Sequence, residues 1–138
     1  MQQIKDNNSV SNSVKEINQV ERKVDIAMKL IKRGEGEPYE AKRHFGCWSM
    51  RKLVPEKDSQ RLNIALSHFL PQGGAEMSSS PLERAYFVIA GSLLVKGKAE
   101  EYLLGPGDLL YIAAGEEREV QACGTEPATI LVMMTKVD

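Results

Sequence analysis

Ser78-Ser-Ser-Pro-Leu-Glu-Arg84-Ala-Tyr-Phe-Val-Ile-Ala-Gly91 and, a short interval later, Gly107-Asp-Leu-Leu-Tyr-Ile-Ala113-Ala-Gly115-Glu-Glu-Arg118-Glu-Val-Gln-Ala122 are the stretches on which the fold reading turns. Ala85 to Ile89 is a strand-length apolar run, and Ala90-Gly91-Ser92 separates it from Leu93 to Val95 in the pattern of a hairpin. Gly105-Pro-Gly107-Asp108 then turns the chain into Leu109 to Ala113. Upstream, Leu62, Ile64, Leu66, His68 and Leu70 alternate with Asn63, Ala65, Ser67 and Phe69, the period of two of a strand with one buried face. The alternation predicts the Leu and Ile face as the core face, with Pro71-Gln-Gly-Gly74 as the turn that ends the strand. Thr129 to Met134 supplies a last apolar strand. Many short strands punctuated by Gly and Pro turns predict an all-β sandwich or barrel.

Composition narrows the class. At 138 residues, 42% hydrophobic and 27% charged, the chain suits one domain with one core. A formal net charge of -1 gives no clustered positive field, which argues against nucleic acid and against a membrane surface as partners. With no apolar run of signal-peptide or membrane-spanning length, the expected location is cytoplasmic. Cys47 and Cys123 are isolated, so both are expected as reduced thiols.

The amino-terminal stretch reads differently from the rest. Residues 1 to about 13 are rich in Gln, Asn and Ser and offer little to bury. From Val14, the residues Ile17, Val20, Val24, Ala27 and Ile31 recur at spacings of three and four, the stripe of an amphipathic helix stopped by Gly34 and Gly36. Met28-Lys-Leu-Ile31 also suits a first edge strand. The expected division is a polar tail and helix over residues 1–34 and a barrel over 35–138.

The two opening stretches resemble the paired motifs of the cupin superfamily, G-x5-H-x-H-x3-E-x6-G and G-x5-P-x-G-x2-H-x3-N. The resemblance covers about residues 40 to 135 and implies a double-stranded β-helix, the jelly-roll barrel, with the helical extension before it. Counting back from Gly91 puts Arg84 where the family carries its glutamate and Ser78 and Ser80 where it carries two histidines. Counting forward from Gly107 puts Arg118 at the third histidine and Ala113 at the proline. In the family those four positions hold one divalent metal. Here two are weak hydroxyl donors and two are permanently cationic guanidinium groups, which repel a metal ion. No metal and no cofactor is therefore expected. A relocated metal site, with a dioxygenase-like chemistry, would have to draw on His44, His68, Glu76, Glu83, Glu116 or Glu117.

Family geometry sends these positions into the barrel mouth, where two guanidinium groups need anionic partners. One reading is a ligand site: Arg84 and Arg118 clamp the carboxylate, sulfate or phosphate of a small molecule, Ser78 and Ser80 add hydroxyls, and Tyr86, two residues after Arg84, points the same way. The other is internal, with Glu76, Glu83, Glu116 or Glu119 neutralising the arginines. His44 and His68 are candidate proton-transfer groups, and His68 is carried among the ligand-binding candidates although its strand face suits a core histidine. Ser78-Ser-Ser80 has no Ser-His-Asp companions. The expected function is metal-independent binding of a small anionic, carboxylate-bearing molecule. The alternative is an isomerase, epimerase, lyase or decarboxylase acting on a carboxylate substrate, since one fold hosts many chemistries. Outward Ala85, Phe87 and Ile89 are as apolar as inward Tyr86 and Val88, which predicts a homodimer, as small cupins often form through such a sheet face.

Overall fold

The structure, a computed structural model, describes residues 25–135. Nine strands make up the described chain: β1 (Glu37–Tyr39), β2 (His44–Leu53), β3 (Leu62–Ser78), β4 (Arg84–Ala90), β5 (Ser92–Lys96), β6 (Glu101–Leu104), β7 (Leu109–Ile112), β8 (Arg118–Cys123) and β9 (Ala128–Thr135). All strand pairs are antiparallel and run in the order β6-β5-β8-β3-β9-β4-β7, with β2 also on β3 and β1 on β2. The result is a nearly closed barrel, the all-β architecture that the turn punctuation predicts.

The long strand β3 makes the closure possible. Its first half, Leu62 to Phe69, pairs with β9, and its second half, Gly74 to Ser78, pairs with β8. The expected turn at Pro71–Gly74 is therefore a bend inside one strand. Two glycines permit it: a Cβ on Gly73 would lie 2.3 Å from the Gly46 carbonyl oxygen, and one on Gly74 would lie 2.0 Å from that of Val120. The chain passes from one sheet to the other where the two backbones touch.

The expected hairpin across Gly91 is a second correction. β4 pairs with β7 and β9, whereas β5 pairs with β6 and β8, so Gly91 carries the chain between sheets. Its φ of +79° suits glycine, and a Cβ there would lie 2.2 Å from the Pro127 carbonyl oxygen. The Gly105–Asp108 turn crosses back in the same way, from β6 to β7. Asp108 closes it by accepting a bond from the Gly105 amide at 2.8 Å, and Gly107 ties it to β4 through the Val88 carbonyl, also at 2.8 Å. Consecutive strands that alternate sheets define a jelly roll, and local sequence does not distinguish that crossing from a hairpin.

The amino-terminal expectation fails where it is described. Among the described residues there is no helix, and Asp25 to Gly36 has no regular secondary structure. The carbonyls of Lys32, Arg33 and Glu35 accept bonds from the Lys52 ammonium on β2 at 3.1, 2.8 and 2.6 Å, and Lys29 pairs with Asp58. The Lys52 ammonium thus answers three backbone carbonyls of a segment with no regular secondary structure to pair them. Val14 to Val24 lies outside the described residues.

Between the sheets sit Phe69, Val88, Leu93, Val95, Leu104, Ile112, Val120, Ala122, Ala128 and Ile130, a continuous apolar core. The inward residues of β3 are Ala65, Ser67 and Phe69, all buried. The predicted core face of β3 is thus inverted. Ile64, Leu66 and His68 lie half-buried on the outside, and Leu62 and Leu70 are exposed.

Candidate functional site

Strand register places the polar inward residues in rows. Arg51 on β2 aligns with Ala65, Val132 and Tyr86, while Asn63 aligns with Met134 and Arg84. On the facing wall Ser78 on β3 pairs with Arg118 on β8. Together with Tyr39 to His44, all of these residues except Ala65 surround an open cavity of about 670 Å³ in the barrel mouth, within the range that holds a small organic molecule.

Its charge is one-sided. Lys42, Arg43, Arg51, Arg84 and Arg118 line it against a single carboxylate, Glu40. Arg118 is 8% exposed and donates from Nη1 to the Ser78 carbonyl at 2.8 Å and from Nε to the Tyr86 hydroxyl at 3.3 Å. These bonds use two of the five N–H donors of a guanidinium and bring no negative charge. Burial pushes the Arg84 guanidinium below its ordinary pKa, Tyr86 offsets part of that, and Arg118 adds a like charge. Arg51 is held over the Tyr39 ring, 4.1 Å from its centroid. Among the described residues no carboxylate lies within 4.0 Å of Arg51, Arg84 or Arg118.

The internal ion-pair reading therefore finds no support among the described residues. Glu83 instead accepts the Tyr111 hydroxyl at 2.7 Å, and Glu117 pairs with Lys98 at 3.5 Å. The relocated metal set does not gather either: among the described residues no three His, Cys, Asp or Glu side chains cluster so as to hold an ion.

Of the residues singled out from sequence, Ser78, Ser80, Arg84, Tyr86 and Arg118 all line this cavity, and His68 does not. Ser80 also fixes the loop: its hydroxyl accepts the Leu82 amide at 3.2 Å and its carbonyl accepts the Gly115 amide at 2.7 Å. That hydroxyl keeps its own proton to donate. Tyr86 is buried and points inward as its spacing from Arg84 implies. His68 lies on the outer face, its Nδ1 3.0 Å from the Thr129 hydroxyl and its ring stacked on Trp48 at 5.2 Å. The inversion of the β3 faces carries His68 away from the cavity. His44 sits at the rim, with Nδ1 2.7 Å from the Lys42 carbonyl and its ring stacked on Phe69.

Sequence reasoning missed Arg51 and Asn63. Both sit in phase with buried small residues on their strands, Arg51 with Ser49 and Asn63 with Ala65 and Ser67. The available signal was polar and small residues recurring at every second position, which the more apolar opposite face masks.

A smaller cavity of about 320 Å³ opens between edge strands β6 and β7, lined by Tyr102, Leu110, Tyr111 and Glu116 among others. Arg118 borders both cavities.

This double-sheet barrel with its cavity at the mouth is a cupin: residues 65–134 match the family described as Cupin domain, and the chain belongs to it. Among curated proteins it is 31% identical over 106 residues to Beta-D-galactosidase Rv1717 of Mycobacterium tuberculosis, covering 76% of this chain and 91% of that one. Among solved structures, the polyketide cyclase RemF from Streptomyces resistomycificus superposes with a TM-score of 0.69 at 16% identity, over 78% of this chain and 79% of that one. A sugar phosphate isomerase of the cupin superfamily from Silicibacter pomeroyi superposes at 0.65 with 19% identity, over 79% and 76%. At such identities the structural likenesses speak for the fold alone. Among the described residues no helix is long and apolar enough to cross a membrane.

Proposed function

We propose that this chain binds a small anionic organic molecule, carboxylate-bearing, in the barrel mouth without a metal, and that a second copy covers the outer sheet face. One observation carries the reading: Arg84 and Arg118 share a cavity in which, among the described residues, no carboxylate pairs with either. A guanidinium removed from water without an anion is costly, and a bound carboxylate offsets that cost with charge-assisted, often bidentate hydrogen bonds. Tyr86 and the Ser78 carbonyl hold Arg118 in place, so little side-chain freedom remains to be lost on binding.

The M. tuberculosis relative is named a galactosidase, and the carboxylate count of this cavity favours anion binding over that activity as the reading for this chain. Glycoside hydrolysis ordinarily needs two carboxyl groups flanking the scissile bond, and among the described residues this cavity has Glu40 alone.

Thermal denaturation against a panel of small carboxylates and phosphates at constant ionic strength tests the reading. A ligand of the folded state raises the melting temperature by mass action. Replacing either arginine by methionine, which keeps stem volume and removes the fork, should weaken binding at least about 30-fold, as for loss of one partner of a buried charged hydrogen bond. His68→Phe, on the opposite face, should leave binding within about twofold. A panel in which no anion stabilises the parent overturns the proposal.

A further inference from the structure

Arg51 stands apart from the other two arginines drawn into the barrel mouth. Arg51 and Tyr86 end the register row that runs through Ala65 and Val132, so three strand spacings, roughly 14 Å along the sheet, separate them at the backbone. Gathered at the Tyr86 end are Arg118, whose Nε donates to the Tyr86 hydroxyl, and Arg84, two residues before Tyr86 on the same strand face. The Arg51 guanidinium is instead held over the Tyr39 ring, 4.1 Å from its centroid. That contact restrains the group and leaves the N–H donors along its edge unspent. Arg51 borders the same cavity, and among the described residues no carboxylate lies within 4.0 Å of it.

The charges of the lining divide by exposure. Lys42, Arg43 and Glu40 are exposed and answered by water, whereas Arg51 and Arg84 are half-buried and Arg118 is buried. Guanidinium groups are thus drawn partly out of water at two separated places, and a single carboxylate, whose two oxygens lie close together, answers only one of them. Resting on the anion-site reading above, we infer that the ligand is a diacid: one carboxylate lies on Arg84 and Arg118, and the second, at the other end of the same molecule, lies on Arg51. A monoacid leaves Arg51 without a counter-charge. A zwitterion brings an ammonium group to a lining with an excess of cations and is disfavoured. A phosphate concentrates its charge in one place and serves the Arg84 end alone. Joining two acid groups through one short chain makes the second contact nearly intramolecular, so it strengthens binding without a second loss of translational freedom.

Succinate, glutarate and adipate, each against its own monomethyl ester, separate the claims, because the ester keeps the chain and removes one charge. Calorimetric titration of the parent at fixed ionic strength should show the best-fitting diacid binding at least about tenfold tighter than its ester, well beyond the about twofold that two equivalent ends give by statistics. Arg51→Met should remove that advantage and leave the ester within about twofold, whereas Arg84→Met should weaken both. The Arg51 Nε–H resonance of the parent should shift with the diacid and not with the ester, a readout that needs no variant to fold. Diacids that bind no more than about twofold tighter than their esters, or an Arg51 resonance indifferent to them, overturn this inference and leave the anion site standing. Binding of inorganic phosphate alone does the same. If diacids, esters and phosphate all fail to bind the parent, the anion site falls and the inference falls with it.

Discussion

The inner and outer faces of the sheet around β3 and β4 differ in an unusual direction. Inward, at the mouth, successive rows present Ser49, Ser67, Arg51, Tyr86, Asn63 and Arg84. Outward, the neighbouring rows are Leu66, Leu131, Phe87 and Leu109, then Ile64, Met133, Ala85 and Tyr111, while Met50 beside Leu66 is already buried. A barrel whose mouth is polar and whose wall is apolar has its greasy surface on the side that faces water in a lone molecule. Such a surface is best accounted for by something that covers it, and such an interior by something polar that enters it.

If a second copy provides the cover, the largest effect belongs to the outer face. Phe87→Glu would place a charge in a dry contact and should weaken the dimer at least 100-fold, about 2.7 kcal/mol. Sedimentation at micromolar concentration reads this directly. A monomeric parent would break the comparison on its outer side.

The inner face is expected to respond to loss of hydrogen bonds. Ser49 and Ser67, both buried, share one hydroxyl bond at 2.9 Å between β2 and β3. Ser67→Ala leaves Ser49 with only the weak Cys47 thiol contact at 3.5 Å and should cost about 1 kcal/mol in urea denaturation. The double change with Ser49→Ala should cost less than the sum, because the under-paired hydroxyl goes with the second change.

The smallest effect concerns the segment that runs past β2. Asp58 is held below its ordinary carboxylate pKa, chiefly by its bond from Lys29, against some burial and with help from the Val54 amide at 3.1 Å. A depressed folded value means the stabilisation is complete above the unfolded pKa near 4 and fades as pH falls through the folded one. Asp58→Asn should lower stability by under about 1 kcal/mol at neutral pH, and parent and variant should converge in acid. A gap that stays unchanged as pH falls well below the unfolded pKa would contradict that account of the segment.

The sequence was legible where structure is local or motif-bound. The glycines at 91 and 107, the Pro-Gly-Asp turn and the two-residue spacing from Arg84 to Tyr86 describe short-range geometry, and β4, β5, β7, β9 and the first half of β3 lie where the apolar runs put them. Which face of β3 turns inward was not legible, since Leu62, Ile64, Leu66 and Leu70 outweigh Ala65, Ser67 and Phe69 in hydrophobicity and a period of two does not say which side is the core. That ambiguity hid Asn63 and displaced His68. The bend of β3 at Gly73 and Gly74 and the sheet change at Gly91 depend on Gly46, Val120 and Pro127, which are distant in sequence. Arg51 belongs to the same class: its partner ring, Tyr39, comes from a three-residue strand that no pattern announced.

The central claim is that Arg84 and Arg118 await an anion from outside the chain. Anomalous diffraction from crystals soaked in selenate, a tetrahedral oxyanion whose selenium can be located unambiguously, addresses it without knowledge of the natural ligand. The account predicts an anomalous peak within hydrogen-bonding distance of both guanidinium groups, lost in Arg84→Met crystals of the same form. A mouth with no such peak, and with both arginines paired to glutamates of the chain itself, would contradict it.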